Sequence, residues 1–221
     1  MWLYVWTSAL KEAYIGKPFP YTPTSNTLAY FPLINDIQDK VWSATITAGV
    51  TPTKATVWFT FTSSSTGNYT VVNNANFWSI WLKANSLNAT YIWWPCARDG
   101  YVGYYLKHDE SNLNKRFYIF YNSSLSRVSS NQTSIWTWAW HHICYWVNNW
   151  TWTFYVDGSQ FYTQSSRQPY TTSNPWKLSM VGAADGTDTF ELSDLIIEST
   201  VWTSTQVSNY YNATKSNYGI S

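Results

Sequence analysis

Glycine is scarce in this chain, with 9 residues in 221. Average usage would supply about 15. Turns with φ > 0 draw on glycine, so a fold rich in turns is short of its usual turn residue. Charge is scarce too: Asp, Glu, Lys and Arg make up 11% of residues and the net charge is +1. That balance leaves no electrostatic footprint for nucleic acid or an anionic membrane. Cysteine is limited to Cys96 and Cys144, without metal-ligand spacing. One disulfide and two buried thiols are both open readings. No apolar run approaches the roughly 20 residues that span a bilayer, so membrane insertion is not expected. The start, Met1 to Thr7, lacks the basic n-region and long apolar h-region of a signal peptide.

What is present is aromatic and uncharged-polar. Tryptophan occurs 16 times, more often than glycine. Many tryptophans fall where turn glycines belong, as in Asn149-Trp150-Thr151-Trp152 and Ile135-Trp136-Thr137-Trp138. The pattern predicts a source that reads UGA as glycine, with these codons rendered here as tryptophan. Trp140, Trp176 and Trp202 sit in ordinary tryptophan positions; the other tryptophans would be natural glycines. The competing reading is a true Trp-rich binding surface. If recoding holds, those tryptophans are poor evidence for sugar stacking.

The length suits one large all-β domain. Residues 1–26 read as a short strand and a Pro-rich connector, an attachment arm or an extra edge strand. Residues 27–221 read as the main domain. From Leu28 onward short β segments alternate with polar turns. Candidate strands include Leu28–Leu33, Ala44–Thr47, Thr56–Phe61, Phe77–Lys83, Tyr101–Lys107 and Arg116–Tyr121. Residues 62–68 and 122–134 read as loops. The clearest block is a strand over His141–Val147, a connection over 148–151 and a strand over Thr153–Val156. The Asp157-Gly158 hairpin turn and a return strand over Ser159–Thr163 follow. Lys177–Val181 and Thr189–Glu198 are two more strands. The tail from Thr203 to Tyr211 carries Ser/Thr caps and an apolar trace through Val207, Tyr210 and Tyr211, which predicts a short helix.

Several pieces, in their order, resemble the laminin-G-like branch of the concanavalin A-like lectin/glucanase superfamily. They are Leu28-Ala29-Tyr30-Phe31-Pro32-Leu33 with the polar turn Asn35–Asp39, then Trp140-His141-His142-Ile143. Tyr155-Val156-Asp157-Gly158, Phe190–Ile197 and the Ser204–Asn212 helix follow. Residues 139–212 carry nearly all of the resemblance. It implies a two-sheet antiparallel jelly-roll sandwich with one short C-terminal helix. It also implies structural roles for Trp140, His142, Asp157, Gly158 and Asp194.

Glucanases of this fold share an E-x-D-x-x-E strand that puts three carboxylates on one face. Here Glu191 and Asp194 are three apart and point to opposite faces of a regular strand, and Glu198 lies four beyond Asp194. The expectation is no enzyme. The acidic turn Asp185-Gly186-Thr187-Asp188 could offer Asp185 and Asp188 to calcium, which many superfamily members bind at the sandwich rim. Its alternative is a solvated turn. Tyr101, Tyr104 and Tyr118 are candidate sugar platforms, although about half of any strand's aromatics belong to the core.

The expected function is a binding module for a glycan or a protein surface, in a virion, tail or cell-surface assembly. Alternatives are a purely structural assembly subunit, oligomerising through the N-terminal arm, and a degenerate glycoside hydrolase.

Overall fold

The computed structural model describes residues 21–32, 41, 46–48, 53–54, 59–62, 67–69, 76–84, 93–98, 102–108, 115–121, 124–127, 139–148, 151–165, 177–179 and 189–221. In chain order the strands are β1 (Thr27–Phe31), β2 (Ile46–Ala48), β3 (Thr53–Lys54), β4 (Phe59–Thr62), β5 (Gly67–Tyr69), β6 (Phe77–Ala84), β7 (Trp93–Arg98) and β8 (Val102–His108). Then come β9 (Lys115–Tyr121), β10 (Ser124–Arg127), β11 (Trp140–Asn148), β12 (Thr151–Val156), β13 (Ser159–Gln164), β14 (Lys177–Ser179) and β15 (Thr189–Glu198). One helix, α1 (Ser204–Thr214), runs into a 3-10 turn over Lys215–Tyr218.

The fold is all-β, of the antiparallel sandwich class, with a single short C-terminal helix among the described residues. The large sheet has the order β13-β12-β11-β6-β15-β4-β3, with β1 also paired to β15. A five-stranded sheet has the order β10-β9-β8-β7-β14, and β2 pairs with β5. Every described pairing is antiparallel, so hairpins and longer returns suffice and no parallel crossover is needed.

The central strands of the large sheet are buried on both faces. Trp140 to Tyr145 and Glu191 to Glu198 show no exposed residue. Two-sided burial explains their near-continuous apolar runs, which a half-solvated strand would interrupt with polar residues. One face carries Ile143, Tyr145 and Phe154; Tyr145 stacks on Phe154 with centroids 5.3 Å apart. The other face carries Phe77, Trp81, Cys144 and Ile196, and α1 covers it with Val207 and Tyr210.

The helix starts where the sequence signals it. Thr203 is the N-cap and forms a capping box with Gln206, each side chain serving the other's backbone N–H. Hydroxyls and amides fill its exposed side, which suits a helix held by one docked face.

Three local expectations are corrected. Residues 124–127, read as loop, form β10, a hairpin return onto β9. Residues 67–69, mostly read as loop, form β5. Residues 93–98 form β7, which periodicity missed because Pro95 cannot donate to a ladder and the register breaks between Trp93 and Cys96. Cys144 is a free buried thiol, so it does not pair with Cys96. Burial pushes that thiol well above its ordinary range, which leaves it inert.

Candidate functional site

The β12–β13 hairpin positions the first polar cluster. Asp157 (φ 51) and Gly158 (φ 76) form a two-residue turn with both residues left-handed. The turn aims the Asp157 carboxylate back at β11. Its Oδ1 accepts from the His142 backbone N–H at 2.9 Å, and its Oδ2 hydrogen-bonds His141 Nδ1 at 2.8 Å. The Asp157 N–H donates to the His142 carbonyl at 2.8 Å, so the clamp is reciprocal. His142 Nε2 shares a 2.7 Å hydrogen bond with Ser79 Oγ on β6. Burial drives the His142 pKa down to about 3, against a smaller upward pull from Asp157. His142 is therefore a neutral core imidazole, unsuited to proton transfer near neutral pH.

A Cβ on residue 158 would meet the Tyr211 ring at 2.9 Å and sit at a strained φ. Gly158→Ala is expected to cost about 2 kcal/mol or more, read as a lower urea midpoint. A midpoint within error of the parent would remove the turn's structural role.

The second cluster surrounds Asp194, which is fully buried at φ 50. The β15–β6 register skips from Ser193 to Ile196, so Asp194 sits on a bulge. Asp194 Oδ1 accepts from the Tyr30 hydroxyl at 3.1 Å and Oδ2 from the Tyr218 hydroxyl at 2.8 Å. Burial raises its pKa to about 7, while the Tyr218 and Tyr30 hydrogen bonds oppose the rise. The bulge also corrects an expectation. Asp194 does not point away from Glu191; it turns to the helix side, where Glu191 meets Lys83 at 3.1 Å. Glu198 lies on that side as well. The three carboxylates share a face, but each has its own separate partners and α1 covers the face.

The third feature is an open cleft of about 360 Å³ where the N-terminal arm, the end of β15 and α1 meet. Tyr21, Asn26, Glu198, Trp202, Asn209 and Tyr210 lie in its wall. Trp202 is stacked on Phe77, with centroids 4.5 Å apart. Glu198, 3% exposed, accepts from the Tyr21 hydroxyl, from Thr27 Oγ1 at 3.3 Å and from Trp202 Nε1 at 2.5 Å. With its oxygens so engaged, it presents no bare charge to the cleft. Asn26, Gln206 and Asn209 are exposed at the rim. Sequence reasoning missed this cleft. Its parts are distant in sequence, Tyr21 and Glu198 lying 177 residues apart and Tyr210 farther still, and the Pro-rich arm carried no local signal.

Trp140, His142, Asp157, Gly158 and Asp194 thus all lie in or around the large sheet. Tyr101, Asp185 and Asp188 lie outside the described residues. Tyr104 and Tyr118 lie on paired strands but not opposite each other; the register sets Tyr104 against Ile119 and Tyr118 against Tyr105. Among the described residues no group of three His, Cys, Asp or Glu side chains could hold a metal ion. Nor is any described helix long and apolar enough to cross a membrane.

No protein-family model matches the chain, and no curated protein does. Solved structures do. Domain 4 of an extracellular arabinanase from Geobacillus stearothermophilus, solved with arabinotriose, is similar at TM-score 0.65 and 18% identity. That match covers 84% of this chain and 98% of that domain. The binding domain of botulinum neurotoxin serotype D is similar at TM-score 0.66 and 14% identity, over 85% of this chain and 51% of that one. The binding domain of Paraclostridial Mosquitocidal Protein 1 gives TM-score 0.65 and 13% identity, over 85% and 52%. The chain therefore spans about half the length of the toxin binding domains. At such identities the likeness shows a shared β-sandwich fold and no more.

Proposed function

We propose that this protein is a non-enzymatic, laminin-G-like binding module that recognises a glycan or a protein surface within a virion, tail or cell-surface assembly. The observation that carries the reading is the likeness, over nearly a whole domain, to a sandwich solved with arabinotriose. The toxin binding domains point to recognition as well. Non-catalytic function is supported by the carboxylates: Glu191 is paired with Lys83, Asp194 is buried among tyrosines, and Glu198 is held by three donors. The cleft favours a neutral sugar, because its wall combines aromatic rings with exposed amides and its one acid is engaged.

A glycan array probed with the full chain, with size-exclusion chromatography alongside, tests the reading. Binding of a neutral oligosaccharide by a monomer is the expected result. Asn209→Ala and Asn26→Ala are then expected to weaken it about tenfold, the loss of roughly one hydrogen bond, with unchanged melting. Ordered multimers without sugar or protein binding would favour an assembly subunit instead. Hydrolysis of β-glucans would overturn the non-enzymatic reading.

A further inference from the structure

We propose that Trp150, together with Trp81, Trp146 and Trp152, is glycine in the natural protein, specified by UGA codons that this sequence renders as tryptophan. The first observation is a hairpin register. Asn148 on β11 pairs with Thr151 on β12, which leaves Asn149 and Trp150 as the whole connection. Two-residue hairpin loops close in turns with φ > 0 at one or both central positions, and Asn-Gly is the favoured pair. Tryptophan resists that region, because its Cβ crowds the following carbonyl. The next hairpin of the same sheet shows the requirement met. Val156 pairs with Ser159 across Asp157 and Gly158, and both connecting residues have positive φ. With glycine at position 150 the two residues between the paired ends would read Asn-Gly, the pair that two-residue hairpins favour.

The second observation concerns indole N–H groups. Trp81, Trp146 and Trp152 each bury theirs without a hydrogen-bond partner. A buried tryptophan normally finds an acceptor, since an orphaned donor forfeits its hydration for nothing. Trp202 finds one in Glu198, and the Trp140 indole is not among the orphans. Among the described residues, the orphaned indoles of Trp81, Trp146 and Trp152 all fall at positions that the sequence pattern assigns to glycine, and Trp202, with its acceptor, does not. Glycine at the strand positions also has a structural use. Trp81 lies 4.1 Å from the Tyr218 ring and 5.7 Å from that of Tyr211. With glycine there, these rings can close directly on the β6 backbone.

The codons of the gene and the intact mass of protein isolated from its source test the proposal together. UGA is expected at every tryptophan position except 140, 176 and 202, which should read UGG, and the mass should be lower by thirteen Trp-to-Gly exchanges. UGG at positions 81, 146, 150 and 152, or a mass that retains all 16 tryptophans, would overturn it. A recombinant pair gives an independent readout. Trp150→Gly in the chain as written is expected to raise Tm by a few degrees, and Trp202→Gly to lower it. A fall in Tm for Trp150→Gly counts against the proposal.

Discussion

Glu198→Ala is expected to destabilise the protein by about 4 kcal/mol. The carboxylate joins three segments that are distant in sequence: Tyr21 from the arm, Thr27 at the start of β1, and Trp202 in the link to α1. Hydrogen bonds to a charged acceptor contribute about 1.5–3 kcal/mol each, and truncation leaves buried donors with nothing to meet. Tyr21, Trp202 and Tyr210 are also packed on one another, so loosening one loosens the others. For a chain of this length such a loss lowers Tm by roughly 10 °C. Glu198→Gln keeps an acceptor oxygen and should recover part of the loss. Tyr21→Phe removes a single donor and should cost about 1–2 kcal/mol. Urea unfolding of the three variants orders them: Ala worst, Gln and Phe intermediate. An alanine variant within 1 kcal/mol of the parent would mean that the arm is not anchored through Glu198.

How far the fold could be read beforehand depended on how local its signals are. The helix was legible because its cap is a four-residue signature, Thr203 to Gln206. The Asp157-Gly158 turn was legible for the same reason. Strand β15 is legible at its true limits, since Thr189 to Glu198 is long and flanked by polar residues. The bulge at Asp194 was not legible. One residue at φ 50 reverses the side on which a carboxylate lies, and no periodicity argument registers a single backbone angle. The short strands β5 and β10 escaped because they owe their state to a partner strand and not to their own composition. The cleft escaped because it is made by long-range pairing: Tyr21 meets Glu198 only once β1 lies against β15.

The contributions of His142 and Asp194, two buried titratable groups of the large sheet, should cancel from about pH 4 to 6.5, and single substitutions should tilt stability in opposite directions. Asp194 titrates at about 7 in the folded chain, against 3.8 for the free residue. A raised acid favours the folded state at low pH, and its contribution is lost as pH rises from about 4 through 7. His142 titrates at about 3 when folded, against 6.5 when free. A depressed base does the reverse: folding is penalised at low pH and relieved as pH rises from about 3 through 6.5. Between the two unfolded values, this pair holds one proton in the unfolded chain, on His142. The folded chain also holds one, on Asp194. Equal proton counts give zero slope. Asp194→Asn keeps an acceptor for the Tyr30 and Tyr218 hydroxyls and tolerates positive φ. It leaves only the His142 term, so stability should rise with pH from about 3 to 6.5 by up to about 1.4 kcal/mol per unit. His142→Gln can still hydrogen-bond Ser79 and leaves only the Asp194 term. Its stability should fall over about pH 4 to 7 by a similar slope. Urea midpoints at pH 4, 5, 6 and 7 measure all three curves. If the parent rises with pH as steeply as Asp194→Asn, Asp194 is already ionised across the window. Its tyrosine hydroxyls would then outweigh the desolvation that sets its raised pKa.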